Sequence, residues 1–142
     1  MRIAVFGGSF NPPHIGHVRA AVAARQALGA DRLIVIPTGI SPHKPQPEGS
    51  PSARARLEMT RLAFEGYDGV EVSDMELCRE GKSYTVDTLE ELSRTFEGAE
   101  LFLLMGTDML LGFDRIWWGY ERILDLSSLE NTPRDERSSI LS

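Results

Sequence analysis

The sequence has one cysteine, three histidines and no long apolar run. A single Cys78 excludes an internal disulfide and any multi-cysteine metal site, and it reads as an inert thiol in a reducing compartment. No stretch approaches the roughly 20 apolar residues that a bilayer span requires. A strand pattern begins almost at the first residue with no signal-peptide pattern, so a cytoplasmic location and no membrane partner are expected. Basic charge is also in deficit: 15 Lys and Arg against 21 Asp and Glu leave a net charge of −6. That balance argues against a general nucleic-acid or membrane-surface binder. Any polyanionic ligand must be held by a local cluster of donors.

What is present fits one globular domain: 142 residues, 42% hydrophobic and 25% charged. Ile3–Phe6 and Leu33–Ile36 are short, wholly apolar runs, the signature of strands covered on both faces of a parallel sheet. Between them Ile15, Val18, Val22 and Leu28 recur at helical spacing, and Gly29 is placed to cap that helix. Ser50 and Pro51 read as the cap and first residue of a second helix running through Leu57, Met59, Leu62 and Phe64. Val70–Val72 is a short strand candidate. Thr85 reads as the cap of a helix marked by Val86, Leu89, Leu92 and Phe96. Leu101–Met105 is the next strand, and a final helical pattern passes through Tyr120, Ile123, Leu124 and Leu126. This alternation predicts an α/β fold with a central parallel sheet in a Rossmann-like three-layer arrangement. The Pro-rich stretch 37–50 is expected to be a mobile loop, and the tail from Glu130 to Ser142 carries no periodic pattern.

The unusual residues all follow predicted strands, where ligands bind in open α/β sheets. The first stretch is "GGSFNPPHIGH", Gly7 to His17. Gly7 and Gly8 permit close backbone approach to a ligand, and Ser9 adds a hydroxyl. Pro12 and Pro13 stiffen the loop and deliver the chain to a helix start. His14 and His17, three apart, share one helix face and add imidazole donors to the positive end of the helix dipole. That combination suits a phosphate chain. A plain Gly-Pro turn with two surface histidines is the blander alternative. A zinc pair lacks a third ligand beyond His43 in another loop. Neither a Walker A nor a G-x-G-x-x-G pattern is present.

These residues carry a resemblance. "GGSFNPPHIGH" resembles the G-[TS]-F-[DN]-P-x-H-x-G-H signature of the HxGH nucleotidyltransferases. "PHKP", "SYTVDTL" and "MGTDMLLGF" followed by tryptophan, in that order, are similar to bacterial nicotinate-nucleotide adenylyltransferases. The resemblance covers residues 1–126, which would form the nucleotidyltransferase domain. It implies adenylyl transfer from ATP to nicotinate mononucleotide, giving nicotinate adenine dinucleotide and pyrophosphate.

The resemblance also implies roles. His14 and His17 would contact the ATP phosphates and stabilise the transition state, while Gly7, Gly8, Ser9 and Phe10 supply the ATP cradle. Gly106 and Asp108 would join the nucleotide site, although Asp108 also fits a plain helix cap. Lys44 would meet a substrate phosphate. Tyr84 and Thr85 would offer donors to the pyridine carboxylate, and Trp117, preferred over Trp118, a stacking face. Mg²⁺ would accompany ATP without a dedicated protein cage. A cytidylyltransferase or phosphopantetheine adenylyltransferase is the weaker relation, because "SYTVDTL" and the aspartate–tryptophan pieces count against it.

The resemblance breaks near the C-terminus. The family carries an I-S-S-T-x-[IV]-R signature whose serine and arginine bind ATP phosphates, whereas here the chain reads "SSLENTPRDERSSILS". Residues 127–142 are expected to form a divergent, poorly ordered tail, and the sheet to end at Leu101–Met105 with an unprotected edge. Three explanations are open: a truncated chain, a divergent member completed as a homo-oligomer, or a nucleotide-binding protein of the same fold with weak or no catalysis.

Overall fold

The computed structural model describes residues 1–8, 10, 13–38, 49, 51–79, 84–105 and 120–131. Five strands, β1 (Arg2–Gly8), β2 (Arg32–Pro37), β3 (Val70–Val72), β4 (Glu100–Met105) and β5 (Ser128–Asn131), form one sheet in the order β3-β2-β1-β4-β5. Every neighbouring pair is parallel. The helices are α1 (Ile15–Leu28), α2 (Ala53–Ala63), α3 (Thr85–Thr95) and α4 (Tyr120–Leu126).

The apolar runs sit where strands buried on both faces must sit. Ile3 and Val5 of β1 point to one face, with Ile34, Ile36, Leu101 and Leu103, under Leu89 of α3 and Ile123 of α4. Ala4 and Phe6 point to the other, with Leu33, Val35 and Leu104, under Val18, Ala21 and Ala24 of α1. This strict alternation gives the three layers expected from sequence. Each fully buried Ile or Leu contributes roughly 1.5–3 kcal/mol relative to exposure. Helix α1 ends at Gly29, whose φ of 62° is left-handed and whose N–H reaches back to the last turn.

Three local readings are corrected. Helix α2 is capped by Ser52, whose Oγ accepts the Ala55 N–H at 3.1 Å. Ser50 lies outside the described residues, and a helix starting at Ala53 puts Ser52, not Ser50, in reach of the free N–H groups. The cap of α3 is Tyr84, extended at φ −109° and ψ 137°, with Thr85 the first helical residue. Finally, the sheet does not end at Leu101–Met105. Ser128–Asn131 pair parallel with β4, from Phe102↔Ser128 to Met105↔Asn131. Backbone bonding to β4 carries this strand despite its single apolar residue, Leu129. Of the tail expected over 127–142, residues 132–142 lie outside the described residues.

The topology also sets a switch point. The β1–β2 ladder runs on to Gly8↔Pro37, whereas the β1–β4 ladder runs from Arg2↔Glu100 to Val5↔Leu103. The chain order reverses between β1 and β4, and the carboxyl end of β1 leans to β2. In open α/β sheets that switch point is where ligands lie.

Candidate functional site

Gly7 and Gly8 end β1 at this switch point. The Gly8 carbonyl accepts the Thr38 N–H at 2.8 Å, fixing the turn to the end of β2. A Cβ on Gly8 would lie 3.3 Å from the ring of Phe10, so glycine leaves room for that ring. Phe10 itself holds a left-handed φ of 47° and is only 4% exposed. A non-glycine residue there is strained, and the strain is held by packing. Its ring lies 5.6 Å from Phe6 and 6.1 Å from His17, edge to face. The strained turn therefore aims an aromatic wall at the second histidine.

His14 is the N-cap of α1 rather than a residue of its first turn. Its Nδ1 accepts the Gly16 N–H at 2.9 Å, so a neutral His14 carries its proton on Nε2. The His14 carbonyl accepts the N–H of both His17 and Val18. No acidic side chain offsets the positive end of the helix dipole in this turn. The rings of His14 and His17 stand 5.5 Å apart, as their spacing predicts. His17 keeps an exposed edge, yet desolvation by the surrounding protein lowers its pKa below the ordinary histidine value, with repulsion from His14 a second cause. At neutral pH His17 is thus a neutral imidazole, able to donate one hydrogen bond.

On the opposite side of the sheet, α3 starts at Tyr84–Thr85, both half-buried, with no side-chain cap bond. The Tyr84 carbonyl accepts the N–H groups of Asp87 and Thr88, which leaves those of Thr85 and Val86 outside the helix ladder. Below this turn lies a buried polar cluster that sequence reasoning missed. Glu76 is 7% exposed, and its Oε2 accepts the Thr88 hydroxyl at 2.6 Å. Arg79 donates to the same hydroxyl at 2.7 Å. Burial raises the Glu76 pKa, and bonds from Thr88 and Thr38 and the charge of Arg79 partly offset it. The only available sequence signal was its position between Met75 and Leu77.

Gly7, Gly8, Phe10, His14 and His17 therefore come together, and Tyr84 and Thr85 stand at the start of another helix on the same sheet. Ser9, Lys44, Gly106, Asp108, Trp117 and Trp118 lie outside the described residues. Among the described residues no group of three or more His, Cys, Asp or Glu side chains could hold a metal ion, and no helix is long and apolar enough to cross a membrane. The donors on α1 suit phosphate oxygens rather than a cation.

Comparisons with known proteins agree with this geometry. The chain is 43% identical over 127 residues to a protein of Desulfatibacillum aliphaticivorans named "probable nicotinate-nucleotide adenylyltransferase", covering 89% of this chain and 57% of that protein. A Maridesulfovibrio salexigens protein of the same name is 40% identical over 136 residues, covering 96% and 62%. The chain thus spans about three fifths of the length of the curated relatives it matches. Among solved structures, a Vibrio parahaemolyticus protein assigned to the nicotinate-nucleotide adenylyltransferases has a TM-score of 0.77 at 20% identity, covering 98% of this chain and 77% of its own. Plasmodium falciparum nicotinic acid mononucleotide adenylyltransferase, solved with NaAD, has a TM-score of 0.72 at 13% identity, covering 99% and 80%. At such identities these two likenesses speak for the fold alone. The cytidylyltransferase-like family model matches residues 5–139, nearly the whole chain. Fold, histidine pair and relatives converge: the chain belongs to the cytidylyltransferase-like family, among relatives named nicotinate-nucleotide adenylyltransferases.

Proposed function

We propose that this chain performs adenylyl transfer from ATP to nicotinate mononucleotide, releasing pyrophosphate and forming nicotinate adenine dinucleotide. The observation that carries the proposal is the His14–His17 pair at the start of α1, beside the Gly7–Gly8 turn. In the reaction a phosphate oxygen of the mononucleotide attacks the α-phosphorus of ATP. The bond to the bridging oxygen breaks, and the leaving electron pair stays on pyrophosphate. No protein nucleophile is needed, so the protein acts by positioning and by stabilising charge on the phosphoryl oxygens. His14 donates from Nε2, His17 from its neutral ring, and the α1 dipole adds partial positive charge.

The remaining roles follow the same reading. Gly7, Gly8, Ser9 and Phe10 cradle the nucleotide, with Gly106 and Asp108 beside it. Lys44 meets the mononucleotide phosphate, Tyr84 and Thr85 its carboxylate, and Trp117 its ring. Mg²⁺ arriving on ATP would neutralise phosphate charge when bound. The relatives' shared name supports this substrate choice.

The test is pyrophosphate release with ATP and Mg²⁺, comparing nicotinate mononucleotide, nicotinamide mononucleotide and phosphopantetheine. Turnover is expected with nicotinate mononucleotide. Turnover with phosphopantetheine alone overturns the proposal, as does ATP binding without any turnover.

A further inference from the structure

Glu76 stands at the junction of three elements. On one side its carboxylate accepts the hydroxyl of Thr88, in the first turn and a half of α3. On the other it faces the end of β2, where the Thr38 side chain favours its charged form. Thr38 is itself committed on both sides of its backbone. Its N–H donates to the Gly8 carbonyl at 2.8 Å, and its carbonyl accepts from Arg56 at 2.8 Å. Hydrogen bonds thus tie Thr38 to Gly8 at the end of β1 and Glu76 to Thr88 of α3, with the Thr38 side chain beside the Glu76 carboxylate.

A carboxylate is a poor choice for filling space. Burying it forfeits hydration, and a packed apolar side chain of similar volume commonly serves stability as well or better. What the carboxylate supplies is geometry, since it holds the Thr88 hydroxyl of α3 at 2.6 Å from a group seated beside the end of β2. Thr88 in turn is one helical turn from Tyr84, whose carbonyl its N–H engages. Moving Thr88 moves the N–H groups of Thr85 and Val86 that lie outside the helix ladder.

We infer that Glu76 is a positioning residue for the mononucleotide half of the site, setting the first turn of α3 against the carboxyl end of β2 through its bond to Thr88. The inference rests on the proposed reaction. Glu76 touches no substrate; it acts through the α3 turn that would receive the pyridine carboxylate. The histidines of the ATP half are held separately, by the His14 cap and the Phe6–Phe10–His17 packing, and Gly8 is held by the Thr38 backbone rather than by Glu76.

The test is calorimetric binding of nicotinate mononucleotide and of ATP, each alone, to the full chain and to Glu76→Ala, Glu76→Gln and Thr88→Val. Displacing a substrate-positioning group by about 1 Å can cost on the order of a hundredfold in rate. Glu76→Ala and Thr88→Val are therefore expected to weaken mononucleotide binding about tenfold or more, with ATP affinity held within about twofold. Glu76→Gln, which keeps an acceptor for Thr88, should restore most of the loss. A parallel loss of both ligands, or of neither, overturns the inference while leaving the proposed reaction standing. If the unaltered chain binds neither ligand, the proposed reaction falls and the inference with it. Should Glu76→Ala not fold, Thr88→Val decides alone, by selective loss or its absence.

Discussion

His14 and Gly16 share a 2.9 Å hydrogen bond, from the Gly16 N–H to His14 Nδ1, that joins helix stability to the proton position of an imidazole. One ring nitrogen caps α1, and the other is left with the proton.

The two duties separate by substitution. Asparagine is among the best N-cap residues, so His14→Asn is expected to change stability by less than about 0.5 kcal/mol, while His14→Ala costs roughly 0.5–2 kcal/mol. Both lack the Nε2 donor, and both should lower turnover about 10²–10³-fold, as loss of one transition-state donor does. Urea unfolding and pyrophosphate release measure the pair. An Asn variant with full turnover removes His14 from the chemistry.

For His17 the pKa lies below its ordinary value, first through desolvation and second through His14. The folded state therefore binds fewer protons than the unfolded chain. The resulting stability is present above the unfolded pKa and is lost as pH falls through the folded one. Proton NMR should place the His17 midpoint below that of a free histidine, and Phe10→Ala should raise it by opening the ring to water. Phe10→Ala should also cost roughly 3–5 kcal/mol of stability, the range for deleting a buried aromatic. A His17 midpoint at the ordinary value contradicts the packing described above.

The two glycines that end β1 should answer differently to alanine. On Gly7 a Cβ would meet nothing nearer than the Ile36 carbonyl oxygen at 3.7 Å, an ordinary contact. Gly7→Ala should leave stability within about 0.5 kcal/mol, while weakening ATP binding if the backbone there approaches the nucleotide. On Gly8 the same methyl sits 3.3 Å from the Phe10 ring. Gly8→Ala is expected to cost roughly 1–3 kcal/mol by overpacking. Equal effects at the two positions in thermal unfolding count against this placement of Phe10.

Glu76 titrates in the opposite sense to His17. Its pKa is raised, chiefly by burial, so its contribution to stability is fully present below the unfolded carboxylate pKa. That contribution is lost as pH rises through the folded value. Glu76→Gln has no such titration, so its stability relative to the unaltered chain should climb with pH. Unfolding free energies measured from about pH 4 to pH 8 test this; a constant difference across the range refutes it.

The sequence was most readable where burial is two-sided. β1, β2 and β4 announce themselves as apolar runs because both faces of each are covered. β5 does not, since Ser128, Glu130 and Asn131 leave Leu129 as its only apolar residue. Its pairing is a property of the β4 backbone, which no side-chain pattern reports. The site divides in the same way. Glycine and histidine types pointed to Gly7, Gly8, His14 and His17. That His14 would be the cap was hidden, because histidine is not a favoured cap residue. Phe10 as a strained aromatic wall and Glu76 as a buried junction were hidden too, because each depends on contacts made across the fold.

The strand order has a consequence for how the chain folds. β1 meets β2 across a local crossover, but its other neighbour is β4, and the ladder there begins with Arg2 opposite Glu100. As the chain leaves the ribosome, a β1–α1–β2 unit can form early. The second edge of β1 then stays open until β4 has emerged, and its closure is a long-range step of the kind that slows folding. The Gly7–Gly8 turn can thus be anchored to Thr38 well before β4 takes its place beside β1. Nascent chains halted before Glu100 should expose an apolar strand edge and be the ones that chaperones hold.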